Sequence, residues 1–257
     1  MSLEIDGLLL AGGRVGPEMA ARTGTPVRAL FPWRGRPFID WAVQALAGCG
    51  LVGRIAVVGP PELRSTEAAA HTLVSERDSI HANLRAGLEA LAPAGRVLVA
   101  ATDNPVLSAA AVADFLRRSP EDAGVAYPVL RHQTFVERFP GATNTPVRLR
   151  DSAWIGGACV LLRADSLSQI EETVRRVLDA RKSLWRMVGL LGPVFAARFA
   201  LRLAGSDEVE RTASRIAGVA VRFVRDCDPA FAIDIDEPED WEYLHRWAAA
   251  AAPSTGG

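Results

Sequence analysis

The sequence predicts an α/β fold built on a mostly parallel sheet with flanking helices, and three observations carry that prediction. Short apolar runs at 8–11, 54–59 and 96–101 alternate with stretches of helical periodicity, at 38–46, 79–91 and 108–117. Strand, crossover helix and strand in that order build parallel pairs. The first run, Leu8 to Ala11, is apolar at every position, as a strand covered on both faces must be. The second half then changes character. Short runs at 125–129, 133–139, 147–150 and 158–163 read as strands with little helix between them, which predicts a mixed or antiparallel extension of the sheet.

Taken in order, the first strand runs into Ala11-Gly12-Gly13-Arg14. Two residues without Cβ let the chain turn sharply and let a ligand approach the backbone amides. Arg14, Arg22 and Arg28 follow along what reads as a polar loop, and exposed N–H groups with cations beyond them suit phosphate. The spacing is neither the Walker pattern nor Gly-x-Gly-x-x-Gly. Pro32 and Gly35 mark a turn, and Pro37 opens a helix carrying Phe38, Trp41, Ala42, Ala45 and Leu46, which ends at Cys49-Gly50. Pro60-Pro61 stops the second strand, Ser79 and Ser108 stand where helix N-caps belong, and the third strand ends at Thr102-Asp103-Asn104-Pro105. Beyond the short strands, 166–180 and 206–217 read as helices. The apolar stretch 184–203 reads as a helix pair broken near Gly192-Pro193. A strand at 219–224, a last strand at 231–235 and a helix at 238–251 complete the chain, giving one domain over 1–252 and a disordered tail at 253–257.

Composition narrows the classes. A chain of 257 residues with 49% hydrophobic and 23% charged residues builds a sizeable core. A formal net charge of −1 argues against a nucleic-acid footprint. Cys49, Cys159 and Cys227 are scattered, which points to a reducing compartment, hence the cytoplasm, without a disulfide framework or a zinc site. No signal peptide is expected, because Glu4 and Asp6 interrupt the start. Arg186, Arg198 and Arg202 make 184–203 a poor transmembrane segment, so no stable membrane insertion is expected. His71, His81, His132 and His245 are scattered and receive no role.

Ligands of open α/β sheets sit at the carboxyl ends of the strands. Three polar features fall there: the glycine turn, Asp103 after the third strand, and Asp234-Ile235-Asp236 at the end of the last. Residues two apart in an extended segment face the same side, so Asp234 and Asp236 can face one metal ion together with Asp103. Carboxylate oxygens are the ligands Mg²⁺ prefers, alongside water and substrate phosphates. Duller readings compete. Asp236 before Glu237-Pro238-Glu239 fits a helix N-cap with Glu239 completing a capping box, and Asp103 before Asn104-Pro105 fits turn chemistry. Asp234 interrupts an apolar strand and has no such explanation.

Four motifs taken together resemble the MobA-like nucleotidyltransferase family: Leu10-Ala11-Gly12-Gly13; Arg28-Ala29-Leu30-Phe31-Pro32 with Gly35-Arg36-Pro37; Thr102-Asp103-Asn104-Pro105-Val106-Leu107-Ser108; and Asp234-Ile235-Asp236-Glu237-Pro238-Glu239-Asp240. They span most of the chain in the family's order. The resemblance implies a Rossmann-like, GT-A-type fold that binds a nucleoside triphosphate with Mg²⁺ or Mn²⁺. It implies that Ala11, Gly12 and Gly13 cradle the triphosphate and face the base. Ser79 and Asn83 would lie near the base or ribose, and Asp103, Asp234 and Asp236 would hold the metal.

The loop departs from the family pattern in two places. Members carry Gly-x-Gly/Ser-x-Arg-Met/Leu-Gly after the two glycines, where this chain has Arg14-Val15-Gly16-Pro17-Glu18-Met19. The family's lysine before the proline turn is Arg28 here, which keeps the charge without the compact ammonium. Similarity is greatest to a subgroup with Arg-Ala-Leu at 28–30, Arg-Lys at 181–182 and an apolar segment after it. The implied reaction moves a nucleoside monophosphate from the triphosphate to a small, phosphorylated acceptor and releases pyrophosphate, with Arg14 or Arg28 neutralising charge beside Asp103. The acceptor is expected over the second-half strands, near Phe139-Pro140-Gly141, Asn144-Thr145, Gly156-Gly157 or Arg181-Lys182. A nucleotide-sugar glycosyltransferase of related fold is one alternative, though its Asp-x-Asp pair belongs after a mid-chain strand. A non-catalytic nucleotide-binding protein is another, and a membrane-surface role for 184–203 a third.

Overall fold

The structure is a computed structural model, which describes the backbone of residues 5–180 and 184–250 and the side chains of the same stretches apart from 174–186. In chain order the first half contains β1 (Ile5–Leu10), α1 (Pro17–Thr23), β2 (Pro32–Trp33), β3 (Arg36–Pro37), α2 (Phe38–Ala47), β4 (Val52–Gly59), β5 (Thr72–Ser75), α3 (Ile80–Leu91), β6 (Arg96–Ala101) and α4 (Ala109–Arg118). The second half contains β7 (Val125–Arg131), α5 (His132–Arg138), β8 (Val147–Arg148), β9 (Ala153–Gly156), β10 (Cys159–Arg163), α6 (Leu167–Ala180), α7 (Leu184–Leu191), α8 (Pro193–Ala200), α9 (Ser206–Ala217), β11 (Val221–Val224) and α10 (Pro238–Ala250).

The apolar sentence at the N-terminus becomes the centre of the parallel half. β1 lies between β4 and β6, parallel to both, and β5 extends the sheet beyond β4. Successive side chains point to opposite faces, and each face has its own core. Leu9 packs with Val57, Leu98 and Leu46 of α2, whereas Leu8 packs with Val58, Val99 and Leu91 of α3. The strand is therefore apolar at both parities because helices cover both faces.

The second half is mixed, as the short runs imply. β10 runs antiparallel between β6 and β7, and β11 joins β7 parallel. β9 pairs antiparallel with the far end of β7 and with β8.

Several elements differ from the sequence reading. Residues 133–139 are not a strand, because α5 covers His132–Arg138. Phe135 and Phe139, four apart, stand on one helical face and stack at 5.6 Å. Residues 231–235 are not a strand either. Asp228 accepts from the Ala230 N–H at 2.8 Å and starts a 3₁₀ turn over Pro229–Ala232, after which the chain runs extended without joining the ladder. The loop read around Arg14 and Arg22 holds a helix, α1, and β5 and β9 had no clear signal. The break in 184–203 falls at Gly192, with φ 87°, between α7 and α8. Arg181, Lys182 and the tail at 253–257 lie outside the described residues.

α3 is seated against the sheet through Gly87. A Cβ there would stand 2.3 Å from Leu8 Cδ1 and 2.9 Å from Val58 Cγ2. In an exposed helix interior Gly→Ala gains about 1 kcal/mol, but here overpacking outweighs propensity. Gly87→Ala is expected to destabilise the protein by about 1–3 kcal/mol in urea denaturation.

Candidate active site

The glycine turn, the end of β6 and the segment before α10 meet at one end of the sheet. The Ala11 N–H reaches the Val58 carbonyl at 2.7 Å, so the chain keeps its line for one residue beyond β1. A Cβ on Gly12 would come within 2.9 Å of Glu76 Oε2 and 3.0 Å of Asn83 Nδ2, which explains the missing side chain there. The loop then folds back on itself. Arg14 bridges Val27, and the Arg28 N–H donates to the Gly13 carbonyl at 3.0 Å. That return path lays Arg28 over the turn.

Arg28 is the centre of the charge arrangement. Its Nη1 stands 2.7 Å from Asp236 Oδ1 and 3.4 Å from Asp103 Oδ2. Asp103 is largely buried, and its Oδ1 has no hydrogen-bond partner. Burial and then the Asp236 carboxylate push its pKa up, and Arg28 opposes both. Asp234 is exposed, yet lost hydration, followed by repulsion from Asp236, Asp103 and Asp240, raises its pKa to about 6. The alternation argued for 234 and 236 survives without a strand: Ile233 and Ile235 are buried, and Asp234 and Asp236 are exposed. The Ile235 N–H donates to the Asp103 carbonyl at 3.1 Å and fixes the segment beside β6.

Neighbouring residues take over the duller roles considered for these aspartates. Asn104 does the turn work, donating from Nδ2 to the Ala230 carbonyl at 2.7 Å and accepting from the Val106 N–H at 3.3 Å. Asp240 caps α10, its Oδ2 accepting from the N–H groups of Glu237 at 3.1 Å and Asp236 at 3.4 Å. Neither Asp236 nor Glu239 provides that cap. Asp103 and Asp236 are thereby left for Arg28.

A cleft of about 370 Å³ opens beside this cluster, lined among others by Gly12, Gly13, Arg28, Ser79, Asn83 and Asp103. Ser79 is the N-cap of α3, its hydroxyl accepting from the Ala82 N–H at 3.1 Å. Buried Asn83 accepts from the Arg77 N–H at 2.5 Å, with its amide nitrogen facing Gly12. The Arg14 side chain pairs with Glu76 at 2.8 Å, not with the carboxylates that Arg28 holds. Arg22 is tied to Glu242 and Glu18, away from the turn. Glu76 and Arg77 belong to the site but escaped the sequence reading, since they follow β5, which itself was not legible. Of the acceptor candidates, Phe139 is core, Asn144 tethers the Ala232 carbonyl at 2.9 Å, and Gly156 and Gly157 lie tightly against Tyr127 and Phe231.

As the side chains stand, no three His, Cys, Asp or Glu among the described residues converge to enclose a metal ion. Arg28 lies between Asp103 and Asp236, and the three carboxylates repel one another. The donor set nevertheless fits a hard divalent cation. Asp103 Oδ1 is unsatisfied, lost hydration and then the neighbouring carboxylates push Asp234 up to about 6, and the Arg28 guanidinium faces the group. Mg²⁺ needs one or two carboxylates and completes its shell with water and phosphate.

A sheet with parallel strands that ends in a glycine turn, an arginine and clustered carboxylates is an architecture that can handle a nucleotide, and the comparisons give the class as nucleotidyltransferase. The model of the MobA-like NTP transferase domain matches residues 7–191, and the chain belongs to that family. A hypothetical transferase from Thermus thermophilus superposes with a TM-score of 0.81 at 32% identity, over 93% of this chain and 99% of that one. The CMP:2-keto-3-deoxy-manno-octonic acid synthetase complexed with CTP shares the fold at a TM-score of 0.60 and 12% identity, over 96% of this chain and 99% of that one. The bifunctional protein GlmU of Maricaulis maris is 31% identical over 132 residues, which cover 49% of this chain and 28% of GlmU.

The Arg28 bridge is open to a direct test. Arg28→Met leaves Asp103 largely buried beside Asp236 with no cation between them. We expect it to cost roughly 1–3 kcal/mol in urea denaturation, between the values for exposed and fully buried pairs, with Arg28→Lys recovering part of the loss.

Proposed function

We propose that this protein transfers a nucleoside monophosphate from a nucleoside triphosphate to a small, phosphorylated acceptor, dependent on Mg²⁺ or Mn²⁺ and with release of pyrophosphate. The observation that carries the reading is the Arg28 guanidinium held between Asp103 and Asp236 at the lip of the glycine cleft. A triphosphate brings several negative charges and needs both a cation and a metal to enter beside carboxylates. Asp103, Asp234 and Asp236 are the residues that would hold the metal. When bound, the metal neutralises phosphate charge and orients the phosphates.

The remaining chemistry falls to this chain's own residues. Ala11, Gly12 and Gly13 offer backbone close to the triphosphate, with no Cβ at the two glycines to hold it off. The α3 N-terminus, carrying Ser79 and Asn83, faces the base or ribose. Ser79 already caps the helix, so its part is to set the cleft wall, and the Asn83 amide is the better candidate for a polar contact with the base. A phosphate oxygen of the acceptor attacks the α-phosphorus, and the bond to the bridging oxygen of the leaving pyrophosphate breaks. The nucleophile is already anionic, so no dedicated base is required. Arg28 can exchange its carboxylates for phosphate oxygens, which gives charge neutralisation to an incoming triphosphate. Arg14, held by Glu76 on the rim, is a second cation for the same purpose. Three free, buried cysteines fit a cytoplasmic enzyme.

The glycosyltransferase alternative is weaker, because Asp234 and Asp236 precede the last helix rather than follow a mid-chain strand. Pyrophosphate release should be followed with ATP, GTP, CTP and UTP against a panel of sugar and polyol phosphates, with Mg²⁺ or with a chelator. We expect metal-dependent release with one triphosphate, and a fall in kcat of about 10²–10³ in Arg28→Ala and Asp236→Asn. Release that ignores the chelator and both substitutions would contradict the assignment.

A further inference from the structure

We infer, on the basis of the nucleotidyl transfer proposed above, that the Ile80 side chain covers a face of the nucleobase of the bound triphosphate. Ile80 opens α3, directly after the Ser79 cap. It is 79% exposed, more than any other large hydrophobic side chain among the described residues, and it packs against neither apolar core. A single exposed hydrophobic residue is ordinary on a protein surface. Ile80 differs because it stands in the wall of the cleft that also holds the glycine turn and Arg28.

The wall of that cleft is divided by chemistry. Arg28 and Asp103 bring charge to it, and Leu10 and Ala101 bring apolar surface. Leu10 and Ala101 are register partners at the last positions of β1 and β6. Leu10 packs against the core that Leu84 and Leu88 of α3 also cover, and Ala101 shares the parity of Val99 in that core. Both therefore lie on the α3 side of the sheet, the side from which Ile80 reaches the cleft.

A nucleoside triphosphate is divided in the same way. Its phosphates are charged and its ribose carries hydroxyls, and neither gains by giving up water to an isoleucine. The base has two flat faces that bury well against apolar or aromatic side chains and a polar edge that does not. Like surfaces meet when the phosphates lie at Arg28 and the base lies against Ile80, Leu10 and Ala101. The Asn83 amide, whose nitrogen faces Gly12, is left for the polar edge. An apolar face carries no hydrogen-bond code, so Ile80 adds affinity for the base without choosing which base it is.

The test compares two ligands on the full chain with Mg²⁺: the triphosphate that the wild type binds, and inorganic tripolyphosphate, which has no base. Calorimetric titration of Ile80→Ala should show Kd for the nucleotide raised about tenfold, roughly the value of one to two buried methylene groups. Kd for tripolyphosphate should stay within about twofold of the wild type. Ile80→Leu should restore nucleotide binding, and urea denaturation of Ile80→Ala should match the wild type, because the side chain supports no core. In Ile80→Trp the added indole should stack on the base, so that its emission, taken as the difference from the wild type, is quenched by nucleotide and not by tripolyphosphate. Unchanged nucleotide affinity in Ile80→Ala, an equal loss for both ligands, or an indole at 80 indifferent to nucleotide would overturn the role of Ile80 and leave the transfer reaction standing. A wild type that binds none of the four triphosphates would overturn both.

Discussion

The site rests on one guanidinium between two carboxylates. Arg28 comes from the loop after β1, Asp103 from the end of β6 and Asp236 from the segment before α10, and the three meet within 3.4 Å. Without a cation, Asp103 and Asp236 would repel each other where Asp103 is largely out of water. The surrounding structure is arranged to keep the contact. The Gly13 carbonyl takes the Arg28 N–H, the Asp103 carbonyl takes the Ile235 N–H, and Asn104 and Asn144 hold the carbonyls of Ala230 and Ala232. An N-terminal loop and the chain's last extended segment are thereby joined across the sheet.

The sheet makes that junction possible. β1 is the central parallel strand because it is apolar at both parities, and helices on each face need both. Close approach does the rest. Gly87 lets α3 lie against Leu8, which brings Ser79 and Asn83 alongside the glycine turn, and Gly12 leaves room for Glu76 and Asn83. The antiparallel half sets the path of the segment before α10. Gly157 lies against Phe231, and the Ala158 N–H donates to the Phe231 carbonyl at 2.9 Å, so the turn that leads to Asp234 is set by the end of β10.

Much of this was legible in the residues. The bounds 96–101 for the third strand and 206–217 for α9 match the structure, and Ser79 and Ser108 cap the helices their positions implied. Long periodic signals carried those elements. Short ones misled. Residues 133–139 carry a β-branched and aromatic composition that suits a strand, and only the four-residue spacing of Phe135 and Phe139 betrays the helix. Residues 231–235 alternate as a strand does, yet Pro229 and Asp228 start a turn and the ladder never forms. At the site, Gly12, Gly13, Arg28 and Asp103 line one cleft, and Asp236 pairs with Arg28. Arg14 did not join them, because Glu76, at the end of an edge strand with no strong pattern, holds it on the rim. The pairing of Arg28 with both aspartates had no sequence signal, since it depends on how the loop folds back over Gly13.

The central claim is that this cleft takes a nucleoside triphosphate together with a divalent cation held by the aspartates. The most direct test is a thermal-shift titration with ATP, GTP, CTP and UTP, each with and without Mg²⁺, on the wild type and on Asp234→Ala. The account predicts stabilisation by one nucleotide in the presence of Mg²⁺, worth about 2.7 kcal/mol at a hundredfold excess over Kd, and its loss in the variant. No shift with any nucleotide, or a shift indifferent to both Mg²⁺ and Asp234, would contradict it.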